Sequence, residues 1–413
     1  MKIDNKSFNE NNKNKNKETQ IYDNLEIDDK KDELIKIKRN KKSKSPKNKF
    51  LFILINIFII LLILQVLYLI LYNNINNKNN NKTSNNYESN KNKDKINVPE
   101  INIKYIHTIN NTNEYLNDKK FPFIDIFQFS SDNIISADTI SIFIYDKNYN
   151  LNQKIPVFDI SDGSIYQILS LGIKDDNNFA IGCNEQSMKI YTKKNDIFIL
   201  KQDIKNAHDR GIRKVLYNSE GNIISCSYDK TIKIWELDNN GDYINKKIIK
   251  SEDEVRSLLL LEDKNILVSS GDRFTNIWDI KNGYKLIKTF NETYCRTKNV
   301  LERISDDVIA VAKAPFFLKI ISLKELKVIK IIEMEFGFNS IKSFEDKGLF
   351  LVGGFNNGKK CSSTIKIFRN DNYEEIETIY DTHKSSVEGF SILNNGLICS
   401  YSYDNIIQIW SLD

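Results

Sequence analysis

Seven times along residues 99–413 one short pattern returns: a turn residue, an apolar strand of small side chains, a polar turn, and an alternating strand closed by a bulky residue. The clearest copies are SCSYDKTIKIWELD from Ser225 and CSYSYDNIIQIWSLD from Cys399. Weaker copies begin at Ile135, Ile181, Leu267, Ile309 and Leu349. Their closing residues form the column Tyr145, Tyr191, Trp235, Trp278, Ile321, Phe368 and Trp410, with spacings of 46, 44, 43, 43, 47 and 42. Within each copy apolar and polar residues alternate with period two, the mark of half-buried strands, where a helical repeat would show a period of 3.6.

A unit of this length accommodates four strands, so the spacing predicts an all-β chain whose seven units are the blades of a β-propeller. A ring of sheets avoids open edges only if its first and last units interlock. The sequence stops three residues after Trp410, which leaves the seventh unit short of an outer strand. The run INIKYIHTI over residues 101–109 alternates apolar residues ahead of the first blade and is expected to pair onto the last one.

Two units carry the same polar set at the same offsets: His208, Ser225, Asp229 and Trp235, and His383, Ser400, Asp404 and Trp410. In these residues, and over essentially all of residues 99–413, the chain resembles the WD-repeat family. The resemblance implies that each set is a hydrogen-bonded structural tetrad, which is favourable when buried only if every member is satisfied. The fourth unit departs from the pattern: it keeps Asp272 and Trp278, but its turn is shorter and an acidic stretch stands where His would fall. The fifth ends in Ile321, so both are expected to rely on apolar packing.

The resemblance further implies that the residue after the apolar opener of each innermost strand points onto the loop face. For blades two to seven this column reads Tyr166, Arg213, Arg256, Arg296, Asn339 and Glu388. Three neighbouring arginines beside a tyrosine predict a partner-binding patch for an acidic or phosphorylated segment, because the guanidinium fork pairs bidentately with both anions. The plainer alternative is that each arginine pairs with a carboxylate of its own blade, such as Glu252 or Glu254.

Little points to catalysis or to a cofactor. The three histidines are accounted for by the two tetrads and by His107 on the closing strand. No phosphate-cradling glycine loop, metal-spaced Cys/His cluster or nucleophile elbow is present. The five cysteines, Cys183, Cys226, Cys295, Cys361 and Cys399, read mainly as buried small apolar residues. The net charge of +5 is small for 413 residues and resides largely at the N-terminus, so neither nucleic acid nor a small-molecule substrate is expected, only other proteins.

Ahead of the repeats the composition changes. Residues 1–49 are rich in Lys, Asn, Asp and Glu and are expected to be disordered. Residues 50–72 are 23 uncharged residues, FLFILINIFIILLILQVLYLILY, which as a helix of about 35 Å would span a bilayer as a single transmembrane anchor. Residues 73–98 form an Asn/Lys-rich tether. Eight basic residues between Lys36 and Lys49, against Lys78 and Lys82 alone just beyond the apolar run, place the N-terminus in the cytoplasm and the propeller on the lumenal or extracellular side. Acceptor triplets for glycosylation at Asn81, Asn110 and Asn291 agree with that side, while unpaired strand cysteines and the usual cytosolic setting of the family argue the other way. The leading expectation is therefore a membrane-anchored interaction scaffold. The alternative is a receptor- or adhesin-like ectodomain that binds glycan or protein.

Overall fold

The structure, a computed structural model, describes residues 103–110, 121–158, 166–291, 301–313, 316–356 and 362–412. Among them the strands form seven antiparallel sheets of four strands each. Blades 1 to 6 cover residues 123–156, 168–204, 212–250, 255–291, 301–333 and 337–380. Blade 7 is composite. Val387–Ile392, Ile398–Ser402 and Ile406–Leu412 supply three strands, and Ile103–Asn110 is the outermost, with Ile103 opposite Leu412 and Asn110 opposite Ile406. The innermost strands of consecutive blades are neighbours all the way round, blade 7 with blade 1 included, so the ring is closed.

Burial explains the residue choice in each strand. The second strand of blades 1, 3 and 7 is buried at every position, because neighbouring blades cover both of its faces. It is accordingly built of Ile, Ala, Ser and Cys with few large polar groups. Outer strands such as Tyr243–Lys250 are exposed over most of their length and tolerate Asn and Lys.

The column of closing residues has a structural meaning that the sequence pattern did not reveal. In every blade it coincides with a β-bulge between the third and fourth strands. A bulge bends its strand and re-aims the side chain, and here the column residue joins the core cluster shared with the preceding blade. Trp235 clusters with Ala180 and Met188 of blade 2, and Trp278 with Ile224 and Cys226 of blade 3. Burying one such side chain contributes roughly 1.5–3 kcal/mol. Where Trp is replaced, stacked rings take over: Phe179 lies on Tyr191 at 4.9 Å and Phe350 on Phe368 at 5.0 Å. Blade 5 relies on aliphatic packing of Ile321 with Ile309 and Ile320.

Polar clasps that carry no sequence signature also join the blades. Gln153 accepts from the Phe198 amide at 3.0 Å and donates to its carbonyl at 2.9 Å. Gln202 holds Tyr243 in the same way at 2.8 and 3.0 Å. Nearer the axis Asp125 of blade 1 accepts from the Leu171 amide at 3.3 Å and the Tyr401 hydroxyl at 3.4 Å, and pairs with Lys214 at 3.5 Å. Asp125 thus links blades 7, 1, 2 and 3.

The segments expected to be a tail, a transmembrane helix and a tether, residues 1–98, lie outside the described residues, as do Arg296, Cys295 and Cys361. Among the described residues no helix is long and apolar enough to cross a membrane.

Candidate functional site: the mouth of the central channel

Both tetrads are continuous hydrogen-bonded chains. In blade 3, Trp235 Nε1 donates to Ser225 Oγ at 2.8 Å, Ser225 Oγ donates to His208 Nε2 at 2.8 Å, and His208 Nδ1 donates to Asp229 Oδ2 at 2.8 Å. This direction requires a neutral imidazole. In blade 7 Trp410 donates to Ser400 at 2.9 Å, Ser400 to His383 Nε2 at 2.8 Å, and His383 Nδ1 to Asp404 Oδ2 at 3.1 Å. Each aspartate also caps its own turn: Asp229 accepts from the Thr231 and Asp209 amides, and Asp404 from those of Ile406 and Lys384. Burial works against ionisation of Asp229, yet donors from His208, Thr231 and Asp209 hold its carboxyl well below the usual carboxylate range.

Burial is the largest influence on His208 and lowers its pKa from the ordinary 6.5, outweighing the opposite pull of Asp229. Above that value the imidazole is neutral in both the folded and the unfolded chain. Below it the unfolded state takes up a proton that the folded state resists, so stability declines as pH falls. The urea midpoint is expected to drop between about pH 7.5 and 5.5, and the drop to shrink in His208→Gln. A variant with an undiminished pH dependence would place the responsible proton elsewhere.

Blade 4 keeps half of the pattern. Trp278 Nε1 donates to Ser269 Oγ at 2.9 Å, a pair nine residues apart where the tetrads have ten. Asp272 does not occupy the place of Asp229. The shorter turn swings it to Arg256, whose Nη2 it accepts at 3.2 Å and whose Nε lies 2.5 Å from Oδ1.

The residues read as a loop-face column are explained by a second set of bulges. In the innermost strands the register slips at Ile124, Leu169, Arg213, Arg256, Asn339 and Glu388 of blades 1, 2, 3, 4, 6 and 7. Blade 2 therefore contributes Leu169. Tyr166 precedes the first strand of that blade, 46% exposed and tilted against Phe158 at 5.8 Å. The loop-face position of blade 2 falls three residues beyond Tyr166 because Ile165 and Ile168 are equally good apolar openers in sequence, and only strand pairing separates them.

The mouth is chemically uneven. Arg213 and Arg256 lie 5.1 and 4.7 Å from the ring of Tyr228, and Arg210, just ahead of the first strand of blade 3, lies 5.4 Å from it. Arg256 is neutralised by Asp272 and by Glu254 at 3.1 Å, and Arg210 pairs with Glu254 at 2.5 Å. For Arg256 the plainer sequence reading, pairing with a carboxylate of its own blade, describes the geometry. Asn339 donates to Glu388 Oε1 at 2.6 Å on the far side. A cavity of about 350 Å³ is lined by Pro122, Leu169, Ser385 and Tyr403 among others, from blades 1, 2 and 7.

His107 stacks on Tyr149 at 4.9 Å. Burial pushes the Cys226 and Cys399 thiols up to about 12, which removes them from nucleophilic chemistry near neutrality. Among the described residues no group of three or more His, Cys, Asp or Glu side chains is placed to hold a metal ion.

The profile of the family described as "WD domain, G-beta repeat" matches residues 201–236, which contain the blade 3 tetrad. Nuclear distribution protein PAC1 of Candida albicans is 32% identical over 126 residues, 29% of this chain and 25% of that protein. PAC1 of Candida dubliniensis matches to the same extent. Mitotic checkpoint protein BUB3.1 of Arabidopsis thaliana is 24% identical over 148 residues, 32% of this chain and 40% of that protein. The chain thus spans about a quarter of the PAC1 proteins it matches. Seven closed four-stranded blades, two complete tetrads and the family match together identify the chain as a WD-repeat seven-bladed β-propeller.

Proposed function

We propose that this protein is a membrane-anchored interaction scaffold that binds acidic or phosphorylated segments of partner proteins at the channel mouth. The observation that carries this reading is the concentration of guanidinium groups, exposed tyrosines and a cavity where loops of several blades converge. Aromatic and arginine side chains are the residues that supply most binding energy at protein interfaces. The apolar run 50–72 is the anchor, with the basic flank on the cytoplasmic side and the propeller on the other. Asn110 and Asn291, both exposed at strand ends, are available for glycosylation there.

A photo-cross-linking residue at Tyr166 is expected to capture partner protein in intact membranes. The same residue at Leu237, 44% exposed at the end of the third strand of blade 3, is expected to capture little. Equal capture from the rim and the mouth would contradict the assignment of the binding face. Protection of a C-terminal tag from protease in sealed vesicles tests the topology independently, and a tag digested from the cytoplasmic side reverses it.

A further inference from the structure

We infer that Arg213 anchors a single oxyanion, a carboxylate or a phosphate carried on a partner side chain that enters the mouth cavity beside Tyr403. The inference rests on the mouth being the binding face and names what it recognises there. Its basis is the difference between two arginines on the same tyrosine.

Arg256 has Asp272 and Glu254 as counter-charges. Arg213 is 8% exposed, and among the described residues no carboxylate stands within ion-pair distance of it. Among the described residues its Nε is buried with no hydrogen-bond acceptor, and its guanidinium lies over the Tyr228 ring. Glu388, the carboxylate in the ring of bulged positions, accepts from Asn339. Burial without an anion, with Arg256 adding repulsion, depresses the Arg213 guanidinium below its ordinary value. Removing one partner of a buried ion pair is strongly destabilising because it leaves an uncompensated charge. Supplying an anion to Arg213 relieves that cost, so the gain appears as affinity.

The surroundings define what can deliver the anion. Tyr403, 42% exposed on the blade 7 turn, lies within electrostatic reach of both Glu388 and Arg213 and also lines the cavity. Leu169 and Pro122 form an apolar wall. A cavity of about 350 Å³ is at the small end of ligand pockets, suited to one side chain with an aliphatic stem and a charged head. The guanidinium fork pairs with carboxylate and phosphate alike.

The test uses the full chain and three fluorescent peptides, Ala-Ala-Leu-X-Leu-Ala-Ala with X as glutamate, phosphoserine or glutamine, read by anisotropy. At least one anionic peptide is expected to bind about tenfold or more tighter than the glutamine peptide, and the better of the two identifies the source of the anion. Arg213→Gln is expected to bring that peptide down to the glutamine level, while Arg303→Gln, which loses its pairs with Asp263, Asp306 and Glu345 away from the cavity lining, leaves it within about twofold. Should Arg213→Gln not fold, Leu169→Trp fills the cavity from the opposite wall and is expected to abolish the same preference. The inference is overturned if neither anionic peptide is preferred, or if a folded Arg213→Gln, or failing that a folded Leu169→Trp, binds as the parent does. Loss of the preference with Tyr166 cross-links retained rejects the anchor alone, whereas loss of both rejects the mouth as the binding face.

Discussion

Deleting residues 103–110 is expected to abolish the cooperative thermal transition of the propeller or to lower its midpoint by about 10 °C or more. Those residues are the outermost strand of the blade that also contains the C-terminal strands, paired from Ile103 opposite Leu412 to Asn110 opposite Ile406. Without them the edge carrying Ile407 and Ile409 loses its hydrogen-bonded partner, and Ile109 leaves the cluster that joins blades 7 and 1 through Phe123, Phe143 and Tyr401. Tyr105 also withdraws from its edge contact with Trp410 at 5.6 Å. An unpaired apolar edge is a template for aggregation, so the truncated chain is expected to associate as it melts. Re-attaching the same eight residues after Asp413 through a flexible linker restores the pairing and is expected to recover the midpoint. A truncated chain that melts like the parent would show that the ring does not depend on this strand.

The second large effect lies inside blade 3. Ser225→Ala leaves both the Trp235 Nε1 donor and the His208 Nε2 acceptor without partners in a site where Ser225 and His208 are fully buried. The expected loss is roughly 2–4 kcal/mol, since each buried group left unsatisfied costs about 1–3 kcal/mol. In blade 4, where Ser269 serves only Trp278, Ser269→Ala is expected to cost about half as much. Urea unfolding of the two variants side by side measures the difference. Equal losses would mean that His208 and Asp229 add nothing beyond the Trp–Ser bond.

The polar chain is selective because it requires one tautomer. His208 must donate through Nδ1 to Asp229 and accept through Nε2 from Ser225, which couples the turn to the core of the same blade. Blades 2 and 6 reach a comparable result with stacked Phe–Tyr and Phe–Phe pairs, which have no such requirement. The ring therefore mixes polar and apolar ways of fixing the third strand, and protonation of His208 bears directly on blade 3 alone.

Much of this was legible in the residues alone. Period-two alternation identifies strands because side chains alternate across a sheet. A steady spacing near 44 residues sets four strands to a unit, and the shortage of one strand at the C-terminus together with a spare alternating run ahead of blade 1 forecasts how the ring closes. The tetrads were readable because their offsets are local to one blade. The choice of Leu169 over Tyr166, the diversion of Asp272 to Arg256, the glutamine clasps and the absence of a carboxylate beside Arg213 among the described residues were not readable. Each depends on contacts between strands or blades far apart in sequence: a one-residue bulge decides which side chain faces the channel, and a counter-charge is paired or absent according to where its turn places it. Local periodicity determined the architecture, and only the packed ring decided the electrostatics of its mouth, because charge pairing is set by distance in space and not by separation along the chain.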